Sequence, residues 1–276
     1  MLSKYSVRDI QLKTLEIMEY IDRICRKNGL TYYLAYGTLL GAVRHQGFIP
    51  WDDDADIMMD REQYNRFIKV VEEDNDPRFK VADLSTTDDY ALPWARIYNA
   101  LTKGGNDFLE RGSKMGVFVD VFPMDPLPEN SLKREIVHRK VELMSYLSVS
   151  ANHRYFSERE RHVTAKKILR PIGRIAGARR WSQRVNEVIM KSADASSRYF
   201  GSMVDYTFSS DKAATLRESF RDTVDLDFEG HKFMCPIDYD GVLKTHYGDY
   251  MTPPPEDKRY SYHLFEITDL DDSLPE

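Results

Sequence analysis

The chain has 276 residues, 42% of them apolar and 30% charged, with a formal net charge of −6. This suits one large domain or a core with an appended lobe, and the negative balance argues against a nucleic-acid binder while leaving room for a nucleotide-sized ligand. Two cysteines, Cys25 and Cys235, cannot build a disulfide framework or a zinc site; with no signal-like N-terminus and no apolar run near the roughly 20 residues that cross a bilayer, a cytoplasmic protein is expected, one that at most touches the inner face of a membrane.

In chain order, Val7–Lys27 places Ile10, Leu15, Ile17, Met18, Ile21 and Ile24 at helical spacing, and Asn28-Gly29 stops the helix. Leu30–Ala35 (LTYYLA) is predicted as a strand. Gly37-Thr38 opens a short helix, LLGAVRH, with Thr38 as its N-cap. A strand over Ala55–Met59 precedes a helix over Glu62–Glu73 whose Tyr64, Phe67, Ile68 and Val71 share a face. Further strands are expected at Phe79–Leu84, Trp94–Ala100 and Gly116–Phe122. Asn130 to about Arg198 reads as helical, with Pro171 and Gly173 interrupting any single long helix, and the tail from Phe220 is mixed around TPPPE. The expected class is α+β, a mixed sheet with flanking helices, divided into 1–128, a basic helical region 129–200 and a closing segment 201–276.

Charge is segregated along this order. Arg154–Lys191 holds eleven Lys/Arg against three acids, a net +8, which leaves −14 for the rest of the chain. Two readings of the basic stretch stand side by side. It is a solvated face over a core of Ile168, Leu169, Ile172, Ile175, Trp181, Val185 and Ile189, or it is an amphipathic surface for anionic lipid or for an acceptor carried on lipid.

The chemistry is expected around WDDDAD. Residues two apart on a strand face the same way, so Asp54 and Asp56 present two carboxylates to one cleft; Asp52 joins them if the extended geometry begins early, and Asp53 faces away. Two carboxylates so close repel unless one is protonated or a cation sits between them, and hard divalent cations prefer such ligands. Upstream, the Gly37-Thr38 turn can bring backbone N–H groups to an anion at a helix N-terminus. Downstream, Asp120 is embedded in the apolar run GVFVDVFP. A single in-strand Asp pairs with a neighbouring backbone group or an Arg; beside two carboxylates that need a cation, a third metal ligand is the preferred reading. Arg44 can fork onto a diphosphate or pair with Asp52 or Asp53, His45 is a structural hydrogen-bonding group or an acid, and Trp51 is a packed anchor.

The order Gly-Thr, Asp-x-Asp, later Asp resembles the nucleotidyltransferase superfamily that includes DNA polymerase β. More narrowly, YGTLLGAVRHQGFIPWDDDADI, GVFVDVFPMD and the tail segment FEGHKFMCPIDYDGVLKTHYGDYMTPPPEDKR resemble the LicD family of phosphotransferases, related to fukutin and fukutin-related protein. The resemblance spans about 30–127 and 226–263 and is weak in the basic middle. It implies a polymerase β-like core sheet with a helical insertion. It implies a Mg²⁺-dependent transferase (Mn²⁺ as the alternative) that moves phosphocholine or a similar phospho-alcohol from CDP-choline or another CDP-alcohol. The acceptor would be a sugar hydroxyl of a glycan, lipid-linked saccharide, lipopolysaccharide or teichoic acid. By resemblance Asp54 and Asp56 bridge the metals and Asp120 holds the one that activates the acceptor hydroxyl. Gly37, Thr38, Arg44, His45, Asp52 and Arg96 bind substrate, and Tyr247, Gly248, Asp249, Arg259 and His263 close the cleft by packing. Two alternatives remain: a nucleotidyltransferase that moves NMP from an NTP to a small acceptor, and a non-catalytic nucleotide- or glycan-binding module.

Overall fold

The computed structural model describes residues 5–106, 108–112, 114–156, 162–260 and 266–273; His263 lies outside them. Helix α1 (Val7–Lys27) begins with a capping box between Ser6 and Asp9. It is followed by β1 (Tyr33–Leu34), α2 (Tyr36–His45), β2 (Asp56–Asp60), α3 (Arg61–Asp74), β3 (Phe79–Ala82), β4 (Ala95–Asn99), β5 (Lys103–Gly105) and β6 (Phe118–Pro126). Three helices come next, α4 (Ser131–Asn152), α5 (Val163–Ala176) and α6 (Ala178–Ser192). The tail holds β7 (Tyr199–Gly201), β8 (Thr215–Leu216), β9 (Thr223–Phe228), β10 (His231–Pro236), α7 (Tyr239–Tyr247) and β11 (Glu266–Asp269). The class is mixed α+β.

The main sheet runs β1-β2-β6-β4-β3, with β7 joined to β6 and β8 to β7. Strands β2 and β6 are parallel; every other pairing among the described strands is antiparallel. Alternation then sorts the side chains onto two faces. Ile57, Met59, Ala95, Ile97, Val119 and Val121 pack with α1 and α3 in the larger core cluster. Met58, Phe122 and Met124 face the other way and pack with Val137 and Val141 of α4 and Val185 and Ile189 of α6. The helical region is therefore seated on the sheet face that also carries Asp56 and Asp120.

Several expectations shift. The ladder of β1 is only two residues long, and β6 continues to Pro126 because its later residues pair with β2 and β7. Pro171 lies inside α5 on its exposed side, where water can take the carbonyl that loses its partner; the break comes instead at Gly177, whose φ of +85° suits glycine. The apolar residues expected as core in this region divide: Val185 and Ile189 are buried, whereas Ile168, Ile172 and Ile175 are exposed. In the tail, β9 and β10 form a two-residue hairpin whose turn residues Glu229 and Gly230 both have positive φ.

Candidate active site

The site begins with the connection from α2 to β2. Ala35, not Thr38, is the N-cap of α2, because the chain turns into the helix at Tyr36 (φ 44°). Thr38 is buried in the first turn, and its Oγ1 accepts a hydrogen bond of 2.8 Å from the Asp56 backbone N–H, fixing the start of β2 against the helix. Ala35 itself has no side chain that can cap α2, and Gly37 lets an acidic group approach that end closely: a Cβ there would lie 2.7 Å from an Asp52 carboxylate oxygen.

The intervening loop is held from outside. Buried Gln11 of α1 donates to the carbonyls of Ile49 (3.2 Å) and Asp52 (2.7 Å). Glu229 of the tail hairpin pairs with Arg8 and accepts from the Phe48 N–H. Trp51 packs on the main core and lies under the Arg259 guanidinium.

Strand β2 starts at Asp56, so residues 52–55 lack the strict alternation assumed from sequence. Asp53 accordingly does not turn away: one carboxylate oxygen each from Asp52, Asp53 and Asp54 lie within 4.8 Å of one another, the only such acidic, Cys or His set of three or more among the described residues.

Across the sheet, Asp56 is the register partner of Asp120, and Asp120 of Arg96. These three side chains form a lateral row on one face. Asp120 is buried, and its Oδ1 accepts from both Arg96 Nε and Trp94 Nε1, each at 2.8 Å; Arg96 Nη2 reaches Oδ2 at 3.4 Å. Asp120 thus has the Arg partner that an in-strand Asp commonly takes, while still facing Asp56. Burial alone would lower the Arg96 pKa, but Asp120, Tyr90 and Asp54 keep it raised. Asp56 is held well above the usual carboxylate range, first by desolvation and then by Asp54, Asp120, Asp52 and Asp205.

Asp205 is a member that sequence reasoning missed. It sits in the loop between β7 and β8, its carboxyl accepts from the Thr207 N–H, and its pKa is raised by desolvation and by Asp120. Its only sequence signal was one acid between Val204 and Tyr206, with no strand or helix pattern to give it a direction. Trp94 and Gln11 were missed as well; a Gln on the apolar stripe of α1 was the available clue.

Aromatic rings flank the acids. Tyr36 stacks on Phe208 (centroids 5.1 Å, interplanar 10°) and meets Phe122 edge-on, and Trp94 packs on Phe122. The Tyr247 phenol is pushed up by desolvation and then by Asp56, Asp52, Asp205 and Asp54. Beyond it, Arg44 Nη1 donates to the Tyr250 carbonyl at 2.8 Å. The Arg44 pKa is lowered by desolvation and by Arg259. His45 lies edge-on to Trp51, its pKa lowered by desolvation and by Arg44.

Asp52, Asp54, Asp56, Asp120 and Asp205 are thus electrostatically coupled, with Arg96 committed to one of them. A dense set of hard oxygen donors whose central member resists ionisation fits a divalent cation such as Mg²⁺.

Residues 29–183 match the family described as LicD/FKTN/FKRP, nucleotidyltransferase domain. The lipopolysaccharide cholinephosphotransferase LicD of Haemophilus influenzae is 28% identical over 96% of this chain and 98% of its own. Uncharacterized proteins of Rickettsia typhi and Rickettsia prowazekii are 31% and 29% identical over 44% and 43% of this chain, covering 37% and 41% of theirs. The chain belongs to the LicD/FKTN/FKRP nucleotidyltransferase-domain family.

Proposed function

We propose that the protein is a phosphotransferase that moves phosphocholine from CDP-choline to a sugar hydroxyl of a glycan or lipid-linked saccharide, with Mg²⁺ as its cofactor. The observation that carries this reading is the row Asp56–Asp120–Arg96, with Asp54 and Asp52 entering the same cleft. The lipopolysaccharide cholinephosphotransferase of H. influenzae, similar along nearly its whole length, supports the choice of group and acceptor class.

Asp54, Asp56 and Asp120 would hold the metal as the resemblance implies; of these only Asp54 belongs to the Asp52–Asp53–Asp54 set whose carboxylate oxygens lie within 4.8 Å of one another, so Asp52 and Asp53 would share in holding it. Bound there, a cation would supply charge neutralisation for the transferring phosphate and would lower the pKa of the attacking hydroxyl. The chain's own residues do the positioning. Trp94 and Arg96 fix Asp120, Thr38 fixes the backbone of Asp56, and Gln11 fixes that of Asp52. Arg44 and Arg259 bring two guanidinium groups near enough to repel one another, which favours an anion such as the donor diphosphate. Trp94, Phe208 and Tyr247 place aromatic side chains, of the kind a quaternary ammonium prefers, next to acids of opposite charge.

The test measures release of CMP from CDP-choline against release of pyrophosphate from CTP, each with a saccharide acceptor and Mg²⁺. Acceptor-dependent CMP release from CDP-choline that disappears in Asp56→Asn is the expected result. Pyrophosphate release alone would replace this reading with NMP transfer, and neither activity in the presence of nucleotide binding would leave a binding module.

A further inference from the structure

We propose that the outer face of α5 is a docking surface for an anionic lipid membrane. Helix α5 is oriented by what it buries. Gly173 is buried against α4, where a Cβ would come 2.4 Å from the Leu147 carbonyl oxygen, and Lys166, two turns back, is buried on the same side. At 100° per residue the opposite side carries Ile168, Pro171, Ile172 and Ile175. The three isoleucines are 68%, 52% and 84% exposed, and Pro171 is exposed with them.

Single exposed apolar residues need no explanation, but four at successive turns of one 14-residue helix form a continuous apolar stripe. Helices of a globular protein turn such a stripe inward; α5 presents it outward. Exposed Lys167 and Arg174 border the stripe. Across α5 and α6 together eight Lys/Arg stand against one acid within these helices, Glu187. Lys166 is buried, Arg179 donates to the Leu84, Thr87 and Tyr90 carbonyls, Arg174 pairs with Glu110 and Lys191 with Glu187, while Lys167, Arg180 and Arg184 are exposed and carry the outward positive charge. That charge selects the occupant. A second copy would bring two strongly cationic surfaces together, whereas anionic headgroups meet the cations while the isoleucines enter the acyl boundary. No helix among the described residues is long and apolar enough to cross a membrane, so the contact lies in the interface plane.

The surface also connects to the cleft. His162, the N-cap of α5, lies edge-on to Tyr146 of α4 (6.0 Å), which packs on Tyr206 (5.3 Å), the neighbour of Asp205. A membrane held by α5 would therefore lie close to the acidic site, where an acceptor anchored in lipid would present its sugar.

The experiment is co-flotation of the full chain with vesicles of phosphatidylcholine alone or with 30% phosphatidylglycerol, at low salt and in roughly 0.5 M NaCl, a salt level that screens surface charge. The expected result is binding to the anionic vesicles only, weakened by salt. It should fall by roughly 10²-fold in I168S/I172S/I175S and clearly in K167E/R180E/R184E. All six positions are exposed or border the helix surface, and an unchanged melting temperature shows that the fold is kept. Equal binding by the triple-serine variant would overturn the proposal, as would no binding by the unmodified chain. A dimer in light scattering that the triple-serine variant abolishes, without vesicle binding, would reassign the face to self-association. The measurement involves no turnover, so it stands or fails separately from the transferase reading.

Discussion

Asp56 and Asp120 are register partners in the one parallel strand pair among the described strands, so two carboxylates point from adjacent positions into the same cleft. Neither β2 nor β6 alone would bring two acids to one point. Desolvation first, and then the charges of Asp54 and Asp120, leave Asp56 difficult to ionise, which is the physical basis of the first prediction.

Asp56→Asn replaces a buried carboxyl that resists ionisation among neighbouring acids with a neutral amide. Transfer should fall by at least about 10²–10³-fold, as for loss of a group that acts at the transition state. Without divalent metal, the variant should melt a few degrees higher than the unmodified chain, about 1 kcal/mol for a protein of this size. Mg²⁺ at about a hundred times its Kd should stabilise the unmodified chain by roughly 2.7 kcal/mol and the variant by less. Calorimetry with and without Mg²⁺ checks this, and an equal response of both proteins would remove Asp56 from the metal set.

Asp53→Asn separates the strand reading of WDDDAD from the observed loop. An Asp53 that faced away would make the substitution mild. Its carboxylate instead joins those of Asp52 and Asp54. The Mg²⁺ concentration for half-maximal activity should rise by about 10-fold or more, with turnover at saturating Mg²⁺ largely kept. A Mg²⁺ titration that superimposes on that of the unmodified chain would return Asp53 to the periphery.

Trp94 is a positioning residue, acting through its 2.8 Å hydrogen bond to Asp120. Trp94→Phe keeps an aromatic ring and removes the donor, and activity should drop about 10–100-fold with a matching rise in the Mg²⁺ requirement. Arg96→Gln should cost more, because it leaves a buried carboxylate without its cation. Lost activity in Trp94→Phe with no change in Mg²⁺ dependence would assign the ring to substrate contact instead.

His246 is buried among the rings of Tyr36, Phe208 and Tyr247. Desolvation, helped by the charge of Lys212, lowers its pKa from the ordinary 6.5 to about 4. The unfolded chain therefore binds this proton more readily than the folded one. Its effect is absent above pH 6.5, and stability is lost as pH falls from there to about 4, by about 3 kcal/mol in total at one pKa unit per 1.36 kcal/mol. His246→Phe should flatten that part of the pH–stability curve. An unaltered slope in urea titrations across this window would show that other groups govern it.

Much of the molecule could be read from the residues. The periodicity of α1 and α3 set both helices within a residue or so, because a long apolar stripe has one way to be buried. The long motif around WDDDAD and the isolated Asp120 pointed to the family and to the acids that converge, since a charge inside an apolar run has to be explained locally.

What the sequence determined by itself was the inventory: amphipathic helices, an α+β class, an acidic cleft and a basic helical stretch. Tertiary structure decided which groups meet. Strand register placed Asp120 opposite Asp56 and beside Arg96, a relation between residues far apart in the chain that no local period encodes. The loop before β2 brought the Asp53 carboxylate beside those of Asp52 and Asp54, because alternation holds only once the ladder begins. The rotation of α5 about its axis was settled by the close contact of Gly173 with α4, and that contact turned three isoleucines out of the core toward the surface. An amphipathic pattern specifies that a helix has an apolar side; only packing against its neighbours decides which way that side faces.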